Sequence, residues 1–111
     1  MRSQTVSVVV YTTFPNKNIA KKIISELVQK KLAACGNFFK INSIYRWKGK
    51  VENEPEYGVF IKTKKRLYKK VEAYIQQHHP YDVPEIIAWP IDRGSPQYLE
   101  WIAGTTLGAR R

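Results

Sequence analysis

Residues 38–63 read FFKINSIYRWKGKVENEPEYGVFIKT. Phe39, Ile41, Ser43, Tyr45 and Trp47 alternate with Phe38, Ile44 and Arg46 on the opposite side, which is the two-residue period of a strand. Lys48-Gly49-Lys50 supplies a turn in which glycine is free to take a positive φ. Tyr57 to Thr63 is the return strand. Together the two runs make a long hairpin arm. Pro55 has no N–H to give to a ladder, so the early part of the return is expected at a sheet edge or in a bulge.

A helix is expected on either side of this hairpin. Upstream, apolar residues fall at 19, 20, 23, 24, 27 and 28, with Lys21, Lys22, Gln29 and Lys30 facing away. Asn16 is its expected N-cap and Lys31 its end. Downstream, Leu67, Val71, Tyr74 and Ile75 stripe a second helix over 64–77, stopped by Pro80. Outside the helices lie a β-branched strand, Val6 to Thr13, and a last main strand over 84–91. Ser95-Pro96 opens a short final helix, Gly104 closes it, and 104–111 is expected to be loose.

The order is β-α-β-β-α-β plus a C-terminal helix. It predicts an α+β, ferredoxin-like chain of one domain over 1–111, with its core at about 6–103. Right-handed crossovers put both long helices on one sheet face. The other face is left bare, and Tyr45 and Trp47 need a partner to cover them.

Composition narrows the setting. Of 111 residues, 43% are apolar and 13% aromatic, enough for a packed core and against disorder. Nineteen basic against nine acidic residues give a net charge of +10, which favours anionic partners without naming one. The pairs Lys21-Lys22, Lys30-Lys31 and Lys69-Lys70 lie on outer helix faces and read as solvated. The single cysteine, Cys35, allows no internal disulfide and suits a reducing compartment. No segment approaches the roughly 18 apolar residues of a membrane span, and the run after Met1 is too short for a signal peptide. The expected location is the cytoplasm, with no membrane partner.

Three function classes suit such a fold: a nucleic-acid module, a phosphate enzyme and an oligomeric sensor. An RNA-recognition module would carry a glycine-aromatic signature on its third strand, but only Tyr57-Gly58 falls in register, so nucleic acid is not the expected partner. Phosphate chemistry would want glycine or arginine in the loop 12–18, which has neither. No GxSxG and no defensible nucleophile set is present, so the chain is not expected to be an enzyme.

Three segments carry a resemblance: Lys31-Leu32-Ala33-Ala34-Cys35, then Ile44-Tyr45-Arg46-Trp47-Lys48-Gly49-Lys50, then His78-His79-Pro80-Tyr81-Asp82-Val83-Pro84-Glu85-Ile86. Val8 to Thr13 and Tyr98 to Ile102 fit the same pattern. In this order and spacing, over about residues 6–103, the chain resembles the CutA family. The resemblance implies a homotrimer whose arms pair between subunits, and a link to divalent-cation tolerance, copper especially. It also implies an inter-subunit cleft, lined by Cys35, Trp47, Lys62, Tyr81 and Glu85, for a divalent cation (Cu2+) or another small ligand.

Metal chemistry falls to His78 and His79, since imidazole suits copper. Neighbours on a helix point about 100° apart, so both reach one ion only if the helix has ended, as Pro80 allows. Some family members have a cysteine at the position matching Thr12, counted with the two histidines in copper binding; this chain departs from them there. Each residue has a structural alternative. His79-Pro80-Tyr81 can be a helix-stop turn, Cys35 a small buried residue, and Tyr45 and Trp47 interface packing. Lys62, among apolar neighbours, belongs either to a cleft or to an ion pair with Glu85. A trimeric metabolite or nucleotide sensor like the nitrogen-regulatory PII proteins is the alternative function.

Overall fold

The computed structural model describes residues 5–108. Its elements are β1 (Ser7–Phe14), α1 (Lys17–Gln29), β2 (Cys35–Trp47), β3 (Lys50–Lys64), α2 (Tyr68–His78), β4 (Ile86–Pro90) and α3 (Pro96–Thr105). The strands form one antiparallel sheet in the order β2-β3-β1-β4. The result is a mixed α+β fold of four strands and three α-helices.

Local chemistry sets the helix ends. Asn16 is extended, and its side chain accepts the Ile19 N–H at 2.9 Å, starting α1 as expected. Lys31 closes that helix with φ 61, while the N–H groups of Leu32 and Ala33 return to the Leu27 carbonyl. α2 begins later than expected. Lys64 is still strand, and a 3-10 turn over Lys65–Leu67 comes first.

Alternation along β1 sends Val8, Val10, Thr12 and Phe14 to the helix side. Val59, Ile61 and Thr63 join them from β3, each opposite one of these in register. Ile23 and Leu27 of α1 and Val71 and Ile75 of α2 close over them in one core cluster. Each such fully buried aliphatic side chain contributes about 1.5–3 kcal/mol relative to exposure.

β2 and β3 keep one register from Cys35↔Lys62 to Trp47↔Lys50 without a bulge. β2 therefore starts three residues before its expected onset, and β3 reaches back to Lys50, through Pro55. β1 pairs β3 only over Tyr57–Lys64, so Pro55 stands in a two-stranded stretch with one side open: an edge. Lys48 and Gly49 both have positive φ, 51° and 81°, the conformation of a two-residue type I′ hairpin. Beyond Tyr57 the arm consists of two strands alone, and the molecule extends to 53 × 25 × 21 Å. An isolated two-stranded ribbon is marginal in water.

α3 packs against the ends of β1 and β3. It covers Lys64, which is 1% exposed and donates to the Ala103 carbonyl at 3.2 Å. Burial, and then Arg66, pull the Lys64 pKa down. Three expectations are corrected here. Ser95 makes no side-chain cap bond, and α3 runs through Gly104 to Thr105. The expected loose tail is tied down as far as 108. Thr106 is buried and bonded to Ile102, Leu107 N–H reaches Lys31 O at 2.8 Å, and Arg66 donates to Gly108 O at 2.7 Å. Residues 109–111 lie outside the described residues.

Candidate functional site

The face away from α1 and α2 carries an aromatic row. Phe60 lies 5.2 Å from Tyr11, 5.4 Å from Phe39 and 6.3 Å from Trp89, centroid to centroid. Phe39, Ile87 and Trp89 are exposed. The same face continues up the arm through Ile41, Ser43, Tyr45 and Trp47, opposite Glu56, Glu54, Glu52 and Lys50.

Between the arm and the body there is a cavity of about 520 Å³. Tyr45 and Trp47 line it from β2, Glu56 from β3, and Tyr81, Asp82 and Glu85 from the loop between α2 and β4. Glu56 is the buried member, and its Oε2 accepts the Tyr81 hydroxyl at 2.6 Å and the Thr13 hydroxyl at 3.3 Å. Burial, the hydrogen bond to Glu56 and that residue's charge push the Tyr81 phenol well up, so it stays a neutral donor.

His79 holds the loop in place. Its Nε2–H donates to the Thr13 carbonyl at 2.7 Å, and its Nδ1 accepts the Tyr81 N–H at 3.1 Å. The carbonyl can only accept and the amide can only donate, so the imidazole is the neutral Nε2–H tautomer. The ring stacks on Phe14 at 4.6 Å. Burial lowers its pKa below the usual 6.5, against the Thr13 bond and the Glu56 charge.

The histidine pair does not converge. His78 bonds the Tyr74 carbonyl through Nδ1 at 2.9 Å and lies against the Tyr74 ring, in a groove of α1 and α2 with Lys22 and Lys30. His79 has no lone pair left for a metal. Thr12 points into the core, its buried hydroxyl without a partner among the described residues. These residues do not fit a copper centre, and no three His, Cys, Asp or Glu side chains among the described residues are placed to hold one ion.

The remaining candidates divide between two places. Trp47, Tyr81 and Glu85 share the cavity. Cys35 and Lys62 are register partners at the other end of the β2–β3 ladder. Lys62 donates to Asn37 Oδ1. It makes no ion pair with Glu85, the pair Asp92–Arg93 being the one found among the described residues. Cys35 Sγ lies 3.5 Å from the Tyr98 hydroxyl. That bond, then burial and the Cys35 charge, push the Tyr98 phenol up to about 12. Glu56 and Thr13 were missed as site residues, and Tyr45, weighed as interface packing, also lines the cavity. The signal was Glu52, Glu54 and Glu56 at a two-residue spacing, legible once β3 is known to begin at Lys50.

The CutA1 divalent ion tolerance protein family matches residues 8–105. The chloroplastic CutA protein of Arabidopsis thaliana is 46% identical over 94% of this chain and 58% of its own length. The chain thus spans little more than half of that relative. The divalent-cation tolerance protein CutA of Pyrococcus horikoshii is 37% identical over 89% of this chain and 97% of its own. The crystal structure of CutA1 from Oryza sativa superposes with a TM-score of 0.90 at 41% identity, covering 93% of this chain and 95% of that one. None of these names describes a reaction. No helix among the described residues is long and apolar enough to cross a membrane. The chain belongs to the CutA1 divalent ion tolerance family.

Proposed function

We propose that the chain works as a homotrimer of single-domain, ferredoxin-like subunits that binds a small cation in a cleft between them. The bare aromatic face and the two-stranded arm are the surfaces that a neighbouring copy would cover. The cavity between arm and body, walled on one side by its own chain, would become the cleft. The observation that carries the ligand's sign is its lining: Glu56, Asp82 and Glu85 contribute three carboxylates and no lysine or arginine takes part, in a chain of net charge +10. Such a lining favours cations locally against the field of the whole molecule.

Its donors are carboxylate and phenol oxygens, which suit hard cations better than copper. The protein acts by binding, without a covalent step, and its single thiol suits the cytoplasm. Native mass spectrometry of the purified protein tests both parts. A trimer retaining a cation, with retention lost in Glu56→Gln and Glu85→Gln, is expected. A monomer mass would sink the proposal.

A further inference from the structure

We infer that the corner where α1 ends, α2 begins and the C-terminal segment crosses between them docks on an anionic lipid surface. This goes beyond the cleft and does not depend on it. By pattern alone the lysine pairs read as solvated helix faces; the fold brings them together. Leu107 N–H reaches the Lys31 carbonyl at 2.8 Å, and Arg66 Nη2–H donates to the Gly108 carbonyl at 2.7 Å. Residues 107–108 thus tie the end of α1 to the turn before α2. Lys30 and Lys31 flank them from the first, and Lys65, Arg66, Lys69 and Lys70 from the second. All six are exposed. None is in an ion pair, the one found among the described residues being Asp92–Arg93.

The cations there break local preferences. Helix N-termini favour acidic residues, yet neither the turn Lys65–Leu67 nor the first turn of α2 has one. Glu72, one turn on, is bonded to the Tyr68 hydroxyl. Lys31 holds φ at 61, a conformation that helix ends usually give to glycine. Broken local rules gathered at one place are expected where a surface serves binding, and an anion opposite would relieve the repulsion.

Exposed apolar side chains decide between polyanions. Val28 is 37%, Val6 41% and Leu107 42% exposed. Each is one backbone bond from the cations: Lys31 N–H to Val28 O at 3.0 Å, Lys65 N–H to Val6 O at 2.8 Å, and Leu107 to Lys31. A nucleic-acid backbone offers them nothing, whereas a bilayer interface takes apolar tips set among cations. The contact is peripheral, since no helix among the described residues is long and apolar enough to cross. The corner lies at the ends of the two helices that cover the other face, so copies covering the aromatic face leave it free.

Co-sedimentation tests the assignment, with vesicles of phosphatidylcholine alone and of equal parts phosphatidylcholine and phosphatidylglycerol. Binding to the anionic vesicles only, weakening as salt rises, is expected. Lys69→Gln with Lys70→Gln should lower it about 25-fold, at about fivefold per lysine. Leu107→Ser should lower it about fivefold. Lys48→Gln with Lys50→Gln removes the same charge at the far end of the β2–β3 ladder and should change it by less than about twofold. No binding to the anionic vesicles, or an arm-tip loss equal to the corner loss, overturns the inference. So does vesicle binding that ignores Leu107→Ser. Duplex DNA, titrated in parallel by fluorescence anisotropy, probes the rival: corner-dependent DNA binding without vesicle binding would make the corner a nucleic-acid surface instead.

Discussion

On one face of the sheet Val10, Val59 and Ile61 are fully buried. On the other, one residue further along the same strands, Tyr11 and Phe60 sit in a row that ends at exposed Trp89. Both faces are rich in apolar side chains. They differ in what the chain itself provides as cover: α1 and α2 close over the first face, while α3 reaches only the end of the second. Apolar content therefore does not tell a covered face from a bare one. The number of helices long enough to cover a face does.

Neighbouring residues on β3 put this contrast to its hardest test. Ile61→Ala empties the covered face and should cost about 2–5 kcal/mol in urea unfolding. Phe60→Ala faces the other way, and its cost should appear mainly as subunit dissociation on dilution, read by light scattering. If both variants lose equal stability independent of protein concentration, the bare face is not an interface.

His79 ties the loop of the open side to β1, and its loss is the next largest effect. His79→Ala should cost about 1–3 kcal/mol, by leaving the Tyr81 N–H without its acceptor. Because burial keeps the folded imidazole neutral below its ordinary 6.5, its contribution is complete above about pH 6.5. That contribution is lost as pH falls from there toward the folded value, since the unfolded chain takes up the proton first. The urea midpoint of the wild type should thus fall more between pH 7 and 5.5 than that of His79→Gln.

At the arm tip, Gly49→Ala meets no atom within 4 Å but must hold φ at +81°. A loss of about 1 kcal/mol is expected, arising from backbone strain alone and measurable by thermal unfolding. The smallest effect lies off both faces. Arg93→Ala breaks a 3.9 Å pair in which both side chains are almost fully exposed, and Tm should not move measurably.

The sequence made the covered half of the molecule readable. Helical period marked α1 and α2, and Asn16 marked a helix start that its hydrogen bond bears out. The arm was harder. Val51 to Glu56 is charged and contains proline, so local propensity argues against a strand; what holds it there is pairing with β2, including Pro55 opposite Asn42. The cavity was half legible. Trp47, Tyr81 and Glu85 meet there, whereas Glu56 was hidden by the same misread stretch. For the histidines the sequence left two readings open, a shared ion or a helix-stop turn, and His79 takes the bonds of the turn. The helix C-terminus falls between them, sending His78 to the outer groove and His79 to Thr13. Lys62 drew the attention due to Lys64, because β3 runs one residue further than expected and α3 covers its end.

The bulge-free ladder from Cys35↔Lys62 to Trp47↔Lys50 also restricts how the arm can change length. Removing one residue from each strand keeps the pairing but turns everything beyond the cut to the opposite face, carrying Tyr45 and Trp47 away from Glu56. Removing two from each strand restores the faces and shortens the reach by about 7 Å. Arm length is thus quantised: viable insertions and deletions come in steps of two facing pairs.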